Sequence, residues 1–123
     1  MKRGEVYHCL FGTENILGSE QRGNRPVVIL QCDEGNDSSS TVVVALMTSQ
    51  PKKKLPVHVE LTNYKSLKEH SIVLTEQIRT VDKRRLIEYK GKLTPEDLRK
   101  VDIALVTKSL GININDLLEG ESI

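Results

Sequence analysis

Two uninterrupted apolar runs, "PVVILQC" at residues 26–32 and "TVVVALM" at 41–47, flank the polar loop "DEGNDSSS" at 33–40, and this arrangement constrains the fold more than any other feature of the chain. Each run has the length of a strand and is rich in aliphatic or β-branched residues, while the loop holds the residue types that turn a chain. Paired as a hairpin about that loop, the runs place facing residues at numbers that sum to 73, because 32 meets 41. The start of the first strand then lies beside the end of the second, and Arg25 faces Thr48. Pro26 restricts Arg25 further, since the residue before a proline is pushed to extended conformations. A guanidinium and a hydroxyl therefore share one rim, under the Gly18–Gly23 loop.

The rest of the pattern is strands first and one good helix last. "EVYHCLF" (5–11), the alternating "VHVEL" (57–61) and "SIVLTEQIRTV" (71–81), bent near Glu76, read as further strands. Residues 12–24 and 49–56 carry turn chemistry, and 62–70 form a polar, weakly helical patch. "LTPEDLRKVDIALVTKSLG" predicts a helix with Thr94 as N-cap, Pro95 in the first turn, Glu96 and Asp97 at the positive end and Gly111 as its stop. Leu98, Val101, Ala104 and Leu105 share one face, so the helix should lie on the sheet. Residues 1–112 read as one domain and 113–123 as a tail that is frayed or holds one short turn.

Aromatic residues make up 3% of the 123 residues and there is no Trp, which argues against a nucleic-acid surface built mainly on stacking, as in cold-shock or RRM domains. The formal charge is +1, so any contact with a polyanion must be local. Cys9 and Cys32 lie in apolar runs without metal-site spacing and read as small reduced core residues, consistent with the cytosol. No stretch approaches the length of a membrane span, and "MKRGEV" enters a strand-like segment with no apolar signal region, so the expectation is a soluble cytoplasmic protein.

Five blocks in order, "RGEVY" (3–7), "GSEQRGNRPVVIL" (18–30), "TVVVALMTSQ" (41–50), "KLPVHVEL" (54–61) and "LTEQIRTVDKRRL" (74–86), make the chain resemble the MazF/PemK family of toxin endoribonucleases over about residues 3–111. The resemblance implies a mainly β fold with a C-terminal helix, an SH3-like, partly open β-barrel of the CcdB/PemK-like toxin type. It also implies a homodimer, a cognate antitoxin protein as partner, and metal-independent cleavage of single-stranded RNA at short sequence motifs, with no cofactor. The family's arginine of the "RP" step and threonine of the "TSQ"-like strand end carry the chemistry, and these correspond to Arg25 and Thr48. The spacing "EQxGxRP" is kept as "EQRGNRP", with Arg22 as an extra charge.

The residue types suit that reaction. Attack by the RNA's own 2′-OH needs charge stabilised on a phosphorane-like transition state, and the planar fork of Arg25 suits that role. It suits a base role badly, because an arginine is rarely neutral. Thr48 would act by position. Ser19, Glu20 and Gln21 read equally as loop formers and, by the resemblance, as RNA contacts. Lys52, Lys53 and Lys54 are either a solvated turn or a phosphate contact close behind Thr48. In "EQIRTVDKRRL", Gln77 and Arg79 are further candidates for facing RNA, and Asp82 and Arg85 are candidate internal partners. His58 alternates with Val57 and Val59 and reads as a half-exposed structural or interface histidine, while His8 and His70 have no partner at catalytic spacing. Rival readings are a CcdB-like topoisomerase-poisoning module, a non-catalytic protein-binding module and an inactive family member.

Overall fold

The structure is a computed structural model and describes residues 1–12, 23–50, 52–68 and 70–121. Among the described residues the chain forms a six-stranded sheet: β1 (Glu5–Cys9), β2 (Arg25–Ile29), β3 (Thr41–Thr48), β4 (His58–Leu61), β5 (Ser71–Asp82) and β6 (Leu86–Lys92). In space the order is β4-β5-β3-β2-β1-β6, and each neighbouring pair is antiparallel. The sheet is open, with a helix, α2 (Pro95–Ile103), packed on one face.

The two apolar runs occupy the centre because both faces of the sheet are covered there. Val28, Ala45 and Met47 join a core with Val6, Val73 and the helix residues Val101 and Ala104. Val27, Ile29, Val44 and Leu46 join a second core with Cys9 and Phe11 on the opposite face. Strands buried on both faces are apolar at consecutive positions rather than alternating, which is the pattern of these two runs. The register is the predicted one, with Val27 opposite Leu46, Val28 opposite Ala45 and Ile29 opposite Val44.

Helix α2 starts as expected: the Thr94 hydroxyl accepts from the Asp97 N–H at 3.1 Å and Pro95 occupies the first turn. Its sheet-facing side is Val101 and Ala104, with Leu98 and Leu105 partly buried beside them. The chain continues through wider π-helical turns over Ala104–Ser109 and stops near Gly111, which has φ +68°. Two contacts at the N-terminus hold the helix to the sheet. Arg3 pairs with Asp102 and donates to the Leu30 carbonyl at 2.9 Å. Gly4, at φ +88°, lets the backbone pass so close that an added Cβ would meet Leu98 Cδ2 at 3.0 Å.

The bend expected near Glu76 is real. Ala45 pairs with Ile78 and the next residue, Leu46, pairs with Leu74, so Thr75, Glu76 and Gln77 drop out of the β3 ladder as a bulge. The Thr75 N–H and hydroxyl both donate to the Val57 carbonyl, at 3.2 and 2.6 Å.

Elsewhere the structure departs from the sequence pattern. The loop 33–40 contains a short helix, α1 (Asp33–Ser38), with Asp33 and Glu34 in its first turn and Asn36 buried, its amide donating to the Gln31 carbonyl at 3.0 Å. The first two strands end earlier than read, at Cys9 and Ile29. Cys32 is consequently exposed instead of in the core, while burial pushes the Cys9 thiol up to about 11. Strand β6 was not anticipated, since it lies at the sheet edge with Ile87 and Tyr89 exposed. The tail forms α3 (Ile114–Glu121), because the Asn113 side chain accepts from Asn115 N at 3.0 Å and Asp116 N at 3.2 Å and so caps it. Asp82 takes Arg84 as its partner through three contacts of 2.8–3.0 Å, which holds its carboxyl down at about 2, and Arg85 donates instead to the Leu10 carbonyl at 3.1 Å. Among the described residues no helix is long and apolar enough to cross a membrane.

Candidate functional site

Arg25 is the first residue of β2 and stands opposite Cys9 on β1. Thr48 is the last residue of β3. The β2–β3 register, carried two residues beyond the Val27–Leu46 pair, sets Arg25 across from Thr48, with both side chains on the face of Val27 and Leu46. Thr48 is only 2% exposed, and its hydroxyl oxygen accepts from the Gln50 N–H at 3.2 Å. That bond fixes the oxygen and leaves the hydroxyl proton available for donation. On the other side of Arg25, Asn24 accepts from the Phe11 N–H at 3.2 Å and ties the end of the preceding loop to β1.

A cavity of about 310 Å³ opens at this rim. Arg25 and Thr48 line it together with His8, Ser49, Lys68, Ser71 and Lys90, and its apolar wall includes Pro26, Met47 and Leu67. Ser71 donates to the Lys68 carbonyl at 3.1 Å and Ser66 to the Lys90 carbonyl, so the polar wall is cross-braced. Glu88 stands opposite His8 in the β1–β6 ladder, and the hydrogen bond and charge of Lys90, with a smaller contribution from His8, hold its carboxyl below the usual range. The cavity thus gathers cationic and hydroxyl groups, a lining suited to a phosphate-bearing ligand. Among the described residues no cluster of three or more His, Cys, Asp or Glu is arranged to hold a metal ion.

The remaining candidates separate. Lys52, Lys53 and Lys54 are all exposed. Lys52, Lys53 and Gln77 line a smaller cavity of about 190 Å³ with Leu55, His58, Leu74 and Glu76, while Lys52 also lines a cavity with Ser49 and Ser71, which border the Arg25 cavity. Lys54 lines a further cavity, beside the helix residues Lys100 and Lys108. Arg79 stands opposite Val44 on β3, on the sheet face shared by Val44, Leu46 and Thr48, and lies over the Phe11 ring at 5.2 Å from its centroid. Ser19, Glu20 and Gln21 lie outside the described residues. His58 is intermediate in burial as a residue, and its side chain, 8% exposed, lies under the lysine turn. His8, Lys68, Ser71 and Lys90 line the same cavity as Arg25 and Thr48 and were not among the sequence candidates. His8 reaches the rim through strand pairing, which spacing along the chain does not reveal, and Lys90 depends on β6.

A model of the family described as PemK-like, MazF-like toxin of type II toxin-antitoxin system matches residues 2–108. The chain belongs to this PemK/MazF toxin family. Solved structures agree. An endoribonuclease from a mycobacterial species, in complex with its cognate antitoxin, is 27% identical with a TM-score of 0.74, over 92% of this chain and 97% of that one. A MazF from Deinococcus radiodurans is 25% identical with a TM-score of 0.74, over 91% and 97% of the two chains. The PemK/MazF match includes all six strands and α2 and ends before α3.

Proposed function

We propose that this PemK/MazF chain is the toxin of a type II toxin-antitoxin system and cleaves single-stranded RNA at the Arg25–Thr48 rim without a metal. The reading is supported above all by one arrangement: Thr48, 2% exposed, and Arg25 line one cavity, and the β2–β3 register extended two residues beyond Val27–Leu46 sets them across from each other. Likeness to solved endoribonucleases at 25–27% identity supports it.

The chemistry follows from the groups present. The substrate's 2′ oxygen attacks phosphorus and loses its proton, the bond from phosphorus to the 5′ oxygen breaks, and that oxygen gains a proton. The products are a 2′,3′-cyclic phosphate and a 5′-hydroxyl. Arg25 offers two parallel N–H donors to the non-bridging oxygens, where negative charge grows in the transition state. Thr48 directs its hydroxyl proton at the phosphate or the attacking oxygen from a fixed position. The protein acts in the cytoplasm as a homodimer. A cognate antitoxin with an acidic, disordered segment competes with RNA for Arg25 and for the Lys52–Lys54 turn.

The test is cleavage of a mixed single-stranded RNA in EDTA. Wild-type protein should cut it, and Arg25→Ala should lose about two to three orders of magnitude in rate while remaining folded, with incomplete rescue by Arg25→Lys. A DNA strand with one ribonucleotide at the cut step should be cleaved and its all-deoxy counterpart left intact. Cleavage of the all-deoxy strand, or EDTA-sensitive activity that survives Arg25→Ala, overturns the proposal.

A further inference from the structure

His58 lies outside the Arg25 cavity, yet it is the most tightly held histidine beside a candidate RNA contact. Its Nδ1 is 3.1 Å from the Lys53 carbonyl oxygen and its Nε2 is 2.9 Å from the Glu76 carboxylate. The side chain is 8% exposed, against 36% for Glu76. A carbonyl and a carboxylate only accept, so satisfying both contacts requires an N–H on each ring nitrogen. A neutral imidazole has one such donor and must leave one acceptor facing a lone pair.

The surroundings explain why Glu76 is there. The bulge that removes Thr75, Glu76 and Gln77 from the β3 ladder lifts the Glu76 carboxylate toward β4. The same bulge anchors the Val57 carbonyl through Thr75, and the His58 N–H donates to the Leu55 carbonyl at 3.0 Å. The turn carrying Lys52, Lys53 and Lys54 is therefore held at Lys53, Leu55 and Val57. Three adjacent cations repel one another, and a turn of this kind stays in one shape only if something fixes its backbone.

We infer that His58, in its doubly protonated form and clasped by Glu76, positions the Lys52–Lys54 turn for the RNA backbone. His58 is a positioning residue, acting through the lysines. The inference rests on the proposed RNA cleavage and assigns the turn's control to one side chain. The charged groups around the ring are Glu76 on β5, Lys52, Lys53 and Lys54 in the turn, Glu60 on β4, and Lys100 and Lys108 from the helical side of the neighbouring cavity. Of these, Glu76 makes the direct ionic contact. Both acceptors are satisfied only while each ring nitrogen carries a proton, and losing one proton removes one of the two donors, so RNA affinity should fall with rising pH.

The decisive experiment measures equilibrium binding of a mapped substrate RNA carrying a 2′-deoxynucleotide at its cut position, from pH 5.5 to 8. Wild-type dissociation constants should rise about three- to tenfold across that range. Glu76→Gln should flatten the profile without loosening the turn, because a carboxamide can donate to Nε2 while neutral His58 still donates from Nδ1 to the Lys53 carbonyl. His58→Ala should bind more weakly at acid pH, with a reduced salt slope, while its cleavage rate at saturating RNA stays at the wild-type value. The inference is overturned if folded Glu76→Gln and His58→Ala both keep the wild-type pH profile, or if His58→Ala lowers saturated turnover and leaves binding intact. Failure of the underlying reading has a different signature, namely RNA cleavage that is absent from wild-type protein or survives Arg25→Ala.

Discussion

Thr48 allows the hydroxyl and the methyl group of one buried side chain to be tested separately. At 2% exposure, with its oxygen bonded to the Gln50 N–H at 3.2 Å, Thr48→Val keeps the shape and removes the acceptor. The missing bond costs about 0.5–1.5 kcal/mol, or roughly 2–6 °C in melting temperature for a domain of this size. Thr48→Ser keeps the hydroxyl and removes one buried methyl, at a cost of about 1 kcal/mol. The two variants should thus be similarly destabilised. Their activities should diverge. A hydroxyl donating to a charged phosphate contributes about 1.5–3 kcal/mol, so Thr48→Val should cut about 10- to 100-fold more slowly, and Thr48→Ser should stay within about threefold of wild type. The assay is single-turnover cleavage of a labelled RNA at a temperature where calorimetry shows every variant folded. Thr48→Val cutting at the wild-type rate, or Thr48→Ser cutting more slowly than Thr48→Val, would refute a catalytic role for the hydroxyl.

Three further expectations concern the surface, the thiols and the assembly. Replacing Lys52, Lys53 and Lys54 with Ala should weaken RNA binding and reduce the salt slope by about 0.7 for each phosphate no longer neutralised; an unchanged slope would leave the turn without a role in binding. A thiol reagent at pH 8 should modify exposed Cys32 and spare Cys9, whose thiol burial pushes up to about 11 and whose reactive thiolate appears only as pH rises toward that value, so Cys32→Ser should abolish fast labelling. Light scattering at micromolar concentration should report about twice the 13.8 kDa of one chain, and a monomer would count against a substrate groove shared between subunits.

The hairpin was legible because both strands are buried on both faces and their apolar runs carry a strong, local signal. Register followed from loop symmetry through the pairs Val27–Leu46, Val28–Ala45 and Ile29–Val44, and its extension is what sets Arg25 across from Thr48. The bend at Glu76 left a trace as polar residues inside an otherwise apolar strand. Strand β6 left little, because an exposed edge is free of the burial that writes a hydrophobic pattern, and Lys90 was hidden as a lining residue of the cavity with it. His8 was visible as a residue and invisible as a neighbour of the rim, since the β1–β2 ladder that sets it opposite Pro26 joins segments far apart in the chain. Cys32 was misplaced for the opposite reason: an apolar run continues past the last paired residue, Ile29. The cover over the His58 side chain depends on how a turn folds over it, which alternation along one strand does not encode.

Because Arg25 and Thr48 sit on successive strands of one ladder, their encounter depends on the number of residues between them as well as on their identity. The β2–β3 connection lies at the far end of the hairpin, where α1 can absorb inserted or deleted residues provided the ladder keeps its pairing. Within either strand the case differs. One added residue between Val27 and Ile29, or between Val44 and Leu46, turns one member of the pair to the opposite face, and two added residues restore the face but move it about 7 Å along the strand. Length variation among functional relatives should therefore collect around 33–40 and be absent from the two strands, whatever happens to the side chains between.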